Sequence, residues 1–160
     1  MVAHDRSAAP AWHVEEWLNA DAPITLESLA GKVVAVEAFQ MLCPGCVSHG
    51  LPQLKRLARA FGDDLVVLGL HTVFEHHAAM GRVALEAFLH EYRIDFPVGI
   101  DAPGEGPIPR TMEAYRLRGT PTLLLFDRES RLRAQHFGQV EDVALGAEVA
   151  RLIDEAPVSD

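Results

Sequence analysis

The sequence predicts an α/β fold, a central mixed β-sheet flanked by helices, in a single domain of 160 residues. Three observations carry this. Short apolar runs alternate with stretches of helical periodicity along most of the chain. Between residues 33 and 70 the order is strand, helix, strand, a unit that requires a parallel strand pair. Near the end two further strands are separated by the turn Asp127-Arg128-Glu129-Ser130, the mark of an antiparallel hairpin.

Residues 1–11 are poor in large apolar side chains and read as a frayed terminus; Trp12, Val14, Trp17 and Leu18 are the first expected packing residues. Thr25 to Lys32 reads as a turn or helical turn, with Gly31 ahead of the first strand. Val33–Phe39 is an apolar run expected as a buried strand. Behind it Val47, Leu51, Leu54, Ala58 and Phe61 alternate at spacings of four and three, one face of a helix over Cys46–Phe61. Pro52 falls inside that helix, where it removes one hydrogen bond and should kink it. Gly62-Asp63-Asp64 ends it. Leu65–Leu70 is a second strand, parallel to the first.

Residues 72–80 read as a polar loop with Glu75, His76 and His77. Leu85, Phe88, Leu89 and Tyr92 mark an amphipathic helix over roughly 81–93. Phe96–Ile100 is a short strand, and Pro97 points to an edge position. A Gly/Pro-rich loop over 101–109 precedes a short helix over 110–115. Gly119-Thr120-Pro121 leads into strand Thr122–Phe126, and Leu132–Phe137 is its antiparallel return. The last helix covers about 141–153, with Leu145, Val149 and Leu152 on one face.

Composition narrows the function classes. A net charge of −9 argues against a nucleic-acid or anionic-membrane surface. No run approaches the ~20 apolar residues of a membrane span. Two cysteines are too few for a disulfide-stapled secreted scaffold. Met1 to Pro10 contains His4, Asp5 and Arg6 and no apolar core, so no signal peptide is visible and the expected compartment is the reducing cytoplasm.

The two cysteines form Cys43-Pro44-Gly45-Cys46, where the buried strand hands over to the helix. The first helical turn carries backbone N–H groups without intrahelical partners and a partial positive charge. A thiolate placed there is stabilised and becomes a usable nucleophile near neutral pH. Two plainer readings compete: buried cysteines packing as small hydrophobes, and half of a zinc site. Zinc needs four ligands, and the chain has no second cysteine pair. Redox chemistry is the favoured reading. Glu37 is a carboxylate in an otherwise apolar strand, costly to bury and expected to have a raised pKa. Such a group can accept a proton from a reacting thiol; the alternative is a strand-end Glu reaching solvent or an arginine.

The order of these elements, with Cys-x-x-Cys and Arg118-Gly119-Thr120-Pro121-Thr122 ahead of a strand, resembles the thioredoxin superfamily over roughly residues 20–153. It looks most similar to the redoxin branch, which has an extra helix and strand before the proline strand. The resemblance implies a thioredoxin-like fold and a thiol–disulfide oxidoreductase with Cys43 as nucleophile and Cys46 as resolving thiol. It also implies a cis Thr120–Pro121 bond beside the cysteines and an acidic residue at the position of Glu37. Thr120, Pro121, Pro44 and Gly45 would form the substrate-binding surface, the Thr120 backbone pairing with an extended segment. Neither a cofactor nor a resident metal is expected. The implied partners are protein or small-molecule disulfides and a reducing partner, such as a thioredoxin reductase-type or glutathione system, with no nucleic acid and no membrane.

The chain departs from the family pattern at three places. Leu42 stands where a tryptophan is usual, Pro44-Gly45 reverses the common order, and Pro52 lies six residues after Cys46 rather than five. The last spacing is similar to some peroxiredoxins, which gives a thiol peroxidase with Cys46 attacking peroxide as the first alternative. A copper carrier pairing the thiols with one of His49, His71, His76, His77 or His136 is the second. Arg118 is either an anchor for an anionic or peroxide substrate or an exposed arginine on the proline loop.

Overall fold

The computed structural model describes residues 8–156. Six strands form one mixed sheet: β1 (Val14–Leu18), β2 (Val33–Phe39), β3 (Leu65–His71), β4 (Val98–Asp101), β5 (Thr122–Phe126) and β6 (Leu132–Phe137). Their order is β1-β4-β3-β2-β5-β6. The β2–β3 and β3–β4 pairs are parallel, and the other three pairs are antiparallel. β2 is central and buried along its whole length, which is why its sequence is a continuous apolar run rather than an alternation.

Side chains alternate across a strand, so β2 divides its residues between two cores. Val33, Ala35 and Phe39 face one side, with α1 (Leu51–Phe61), α2 (Arg82–Glu91) and α4 (Asp142–Asp154). Val34, Val36 and Ala38 face the other, packed with Leu26, Met112, Tyr115, Trp12 and Trp17 around α3 (Arg110–Ala114). By the same alternation Glu37 points to the α1 side. The inserted α2 and β4 lie between β3 and β5 in sequence, as expected for the redoxin branch.

Four expectations are corrected. β1 was not foreseen as a strand: Glu15 and Glu16 are adjacent, and a bulge between Val14 and Glu16 breaks the two-residue alternation that marks strands. Consequently β4 is not an edge. It lies between β1 and β3, and Pro97 sits just ahead of it, its carbonyl accepting from Gly69 N–H at 2.9 Å. The helix does not run as one α-helix from Cys46. Cys46–Gly50 is a π-helical turn in which Leu51 N–H bonds the Cys46 carbonyl five residues back, and α1 follows with Pro52 in its first turn. The irregularity expected of Pro52 takes this form. Finally, residues 8–11 are not frayed: Ala9 packs on the second core, and the Pro10 carbonyl accepts from Tyr115 Oη at 2.5 Å. The rest of the frayed terminus read from the sequence, residues 1–7, lies outside the described residues.

Candidate active site

The helix begins earlier than its apolar pattern. Pro44 and Gly45 already have helical backbone, so Cys43 stands at the N-cap. Proline suits the first helical position, where an N–H would have no intrahelical partner. Cys46 N–H and Val47 N–H reach the Cys43 carbonyl at 3.1 and 3.2 Å. Cys46 N–H also donates to Cys43 Sγ at 3.3 Å, so the first sulfur occupies the place of a side-chain cap. Both cysteines are free thiols; Cys43 is partly exposed, and Cys46 is 0% exposed behind it.

The Thr120–Pro121 loop closes over this turn, and its peptide bond is cis. The Cys43 thiol lies 3.5 Å from the Thr120 carbonyl oxygen. A Cβ on Gly45 would sit 3.4 Å from Pro121 Cδ, so Gly45 and Pro121 are brought close together. Gly138 N–H donates to the Pro121 carbonyl at 2.8 Å and ties the loop to the end of β6. Burial pushes the Cys46 thiol up, and its hydrogen bond with Cys43 acts in the same sense. The nearby polar groups of the Gln40 backbone and the Thr120 side chain oppose the rise. All six residues expected around the two sulfurs or at the proline loop are therefore gathered at one end of β2.

Glu37 is 2% exposed and meets neither solvent nor an arginine. Burial pushes its carboxyl up to about 8. A Cβ on Gly50 would lie 2.3 Å from Glu37 Oε1 and 3.1 Å from Pro121 Cβ, so the carboxyl is seated against the π turn, one turn below Cys46 and under the proline. Only a glycine leaves that seat open.

Gly50 was not singled out in the sequence, although a glycine within a helical pattern is a signal of close approach. Gln40 and His71 were missed as supports. Gln40, 1% exposed, accepts from Phe74 N–H at 3.2 Å and donates to Thr120 Oγ1 at 3.4 Å. Its signal was a polar residue between Phe39 and Met41. His71, weighed only as a metal ligand, closes β3 and accepts from Met41 N–H at 3.3 Å. Burial lowers its pKa to about 4, which keeps the ring neutral.

The other histidines are dispersed. His77 bonds the Pro107 carbonyl at 2.9 Å and His136 pairs with Glu148 at 2.7 Å. Among the described residues no three His, Cys, Asp or Glu side chains converge as a metal-holding group. Arg118 is exposed and stacks over Phe137, 5.0 Å from the ring centroid, beside the proline loop. No helix among the described residues is long and apolar enough to cross a membrane.

A cysteine pair at the start of a helix, facing a proline loop on a thioredoxin-like sheet, defines a thiol–disulfide oxidoreductase. Comparison with known proteins agrees. A solved structure of a thioredoxin-like superfamily protein superposes with a TM-score of 0.92 at 57% identity, covering 93% of this chain and 97% of that one. A thiol-disulfide isomerase from Corynebacterium glutamicum superposes with a TM-score of 0.88 at 48% identity, covering 92% and 98%. The chain belongs to the thioredoxin-like superfamily. NHL repeat-containing protein 2 of Gallus gallus is 34% identical over 91 residues, 54% of this chain, and the chain spans 12% of the length of that curated relative. No family model matches the chain.

Proposed function

We propose that the chain exchanges disulfides through the Cys43–Cys46 couple, with Cys43 attacking and Cys46 resolving. The observation that carries this is the asymmetry of the two sulfurs. Cys43 is partly exposed and its Sγ accepts a helix-terminal N–H, whereas Cys46 is wholly buried. In the first step Cys43 thiolate attacks a substrate disulfide. One substrate sulfur leaves as a thiolate, and the other is joined to Cys43 as a mixed disulfide. In the second step Cys46 loses its proton and attacks Cys43 Sγ. The Cys43–Cys46 bond forms, the mixed disulfide breaks, and the second substrate thiolate leaves. The couple has then given two electrons to the substrate, and the same steps run backwards oxidise a dithiol.

Glu37 is the proposed acceptor of the Cys46 proton. No direct hydrogen bond joins the two groups, so a water molecule would carry the transfer. With its carboxyl held up at about 8, Glu37 takes and returns protons near neutral pH. Thr120 offers its backbone to an extended substrate segment beside Cys43. A reducing partner of the thioredoxin reductase or glutathione type is the proposed electron source, and the cytoplasm the proposed compartment.

Trapping with a model disulfide tests the roles. Cys46→Ser should accumulate a mixed disulfide on Cys43, and Cys43→Ser should abolish exchange. Trapping at Cys46 in the Cys43→Ser variant, with none at Cys43 in the Cys46→Ser variant, would reverse the assignment. The peroxidase alternative receives no support from a Cys46 without exposed surface. With hydrogen peroxide and a sulfenic-acid trap, slow modification at Cys43 is expected; rapid sulfenic acid at Cys46 would make the peroxidase the better reading.

A further inference from the structure

Arg118 is the charged residue of the proline loop, and neither exchange step uses it. It is exposed, and its guanidinium lies over Phe137, 5.0 Å from the ring centroid. Arg56, Arg82, Arg131 and Arg133 are taken up by carboxylates of the chain, whereas among the described residues no carboxylate pairs with Arg118. A chain of net charge −9 repels anionic substrates as a whole, and a cation on the loop that meets the reacting sulfur offsets this locally.

The guanidinium is held by the loop and the sheet together. Phe137 ends β6 opposite Thr122, and its ring lies on Gly119, where a Cβ would sit 3.0 Å from Phe137 Cε2. The next residue, Gly138, donates its N–H to the Pro121 carbonyl at 2.8 Å. Ring, glycine and proline thus fix the loop from Arg118 to Thr120, whose carbonyl is 3.5 Å from Cys43 Sγ. A guanidinium stacked on a ring keeps N–H donors free at its edge, and a planar fork already held in place loses little freedom when it takes a carboxylate.

We propose that Arg118 is a specificity residue: it selects disulfides in extended peptide segments that carry a carboxylate side chain two residues from the reacting cysteine. The inference rests on the reading of Cys43 as the attacking thiol and of the Thr120 backbone as the place where an extended segment pairs. Arg118 lies two residues from Thr120, a span of at most about 7 Å. A substrate residue two positions from its cysteine lies the same distance along the segment, and residues two apart in an extended chain share a face. The carboxylate is bound and not consumed, so the exchange steps stay as they are.

Two end-blocked peptides test this, Glu-Ala-Cys-Ala-Glu and Gln-Ala-Cys-Ala-Gln, each joined through its cysteine to 2-thiopyridine, a neutral leaving group that absorbs once released. Cys43 attacks the peptide sulfur, the peptide–Cys43 disulfide forms, the pyridyl disulfide breaks and thiopyridine departs. The readout is the ratio of second-order rate constants, acidic over amide peptide, for the reduced full chain at low salt. Wild type should give about five and Arg118→Gln about one or below. Arg118→Glu should give a lower ratio still, and Arg118→Lys should keep part of the wild-type preference. Added salt should bring the wild-type ratio toward one. A general effect of Arg118 on the thiol or the loop would change both rates alike and leave the ratio where it was. A wild-type ratio of one or less, or a ratio that Arg118→Gln and Arg118→Glu do not lower, would overturn the proposal. Cys43→Ser keeps the two failures apart. Thiopyridine release that persists in it removes Cys43 from the attack, and the inference with it; release that needs Cys43 but ignores peptide charge removes the inference alone.

Discussion

Glu37 and His71 are ionisable residues that the sheet has taken out of water, and their effects on stability have opposite signs. The Glu37 carboxyl rises from 4.5 to about 8 on burial. The folded chain therefore holds this proton more tightly than the unfolded chain. The stabilisation is fully present below about pH 4.5 and is lost as pH rises to about 8. The His71 ring falls from 6.5 to about 4, so its contribution is present above about pH 6.5 and is lost as pH falls toward 4. Between 6.5 and 8 only the Glu37 difference is changing of these two. Urea denaturation should show wild type losing stability across that interval, and Glu37→Gln should remove most of the loss, on the order of a few kcal/mol. The same variant should keep the fold and slow resolution of the mixed disulfide. Stopped-flow turnover matching wild type from about pH 6 to 9 would remove Glu37 from proton transfer.

The π-helical turn Cys46–Gly50 is the element that joins the thiols to this carboxyl. It carries the chain from the N-cap at Cys43 to the proline-containing start of α1, and it places Gly50 against Glu37 Oε1. Gly50→Ala would put a methyl group 2.3 Å from that oxygen and 3.1 Å from Pro121 Cβ, so the carboxyl must leave its seat. The expected result is a loss of about 1–3 kcal/mol by urea denaturation, with a shallower pH dependence above 6.5 because Glu37 is no longer held in the same enclosure. A helix over this stretch was legible from the apolar spacing of Val47, Leu51 and Leu54. The π turn was not, because spacings of three and four describe an α-helix, and the five-residue hydrogen bond from Leu51 to Cys46 leaves no trace in that pattern.

At the scale of the molecule, chemistry and stability are held at opposite ends of the sheet. β2 leads to the thiols at its C-terminal end, while the β5–β6 turn lies near its start, where Val34 pairs with Phe126. Asp127, buried in that turn, accepts from Glu129 N–H and Arg131 N–H, each at 3.0 Å, and pairs with Arg131 at 2.9 Å and Arg133 at 3.2 Å. Asp127→Ala leaves these donors without their acceptor and should cost about 3 kcal/mol, lowering Tm on the order of 10 °C. Exchange with a model disulfide should remain at the wild-type rate in the folded protein. A changed rate would show that the turn is coupled to the thiols through β5.

The sequence by itself determined the central strand, the parallel and antiparallel units around it, the dithiol at a helix start, and the carboxylate in β2. Each is a local pattern: an apolar run, a periodicity, a pair of cysteines, one charge among valines. Only the tertiary structure decided that β1 is an edge strand, because a bulge between Val14 and Glu16 is visible only against its partner β4. It alone decided which cysteine is enclosed, since both flank the same Pro-Gly and differ only in what folds over them. Gln40, His71 and Gly50 became part of the site for the same reason. Their partners are Thr120, Met41 and Glu37, up to eighty residues away in the chain. Hydrogen bonds and close approaches across such separations are set by how strands stack side by side, which no local spacing records.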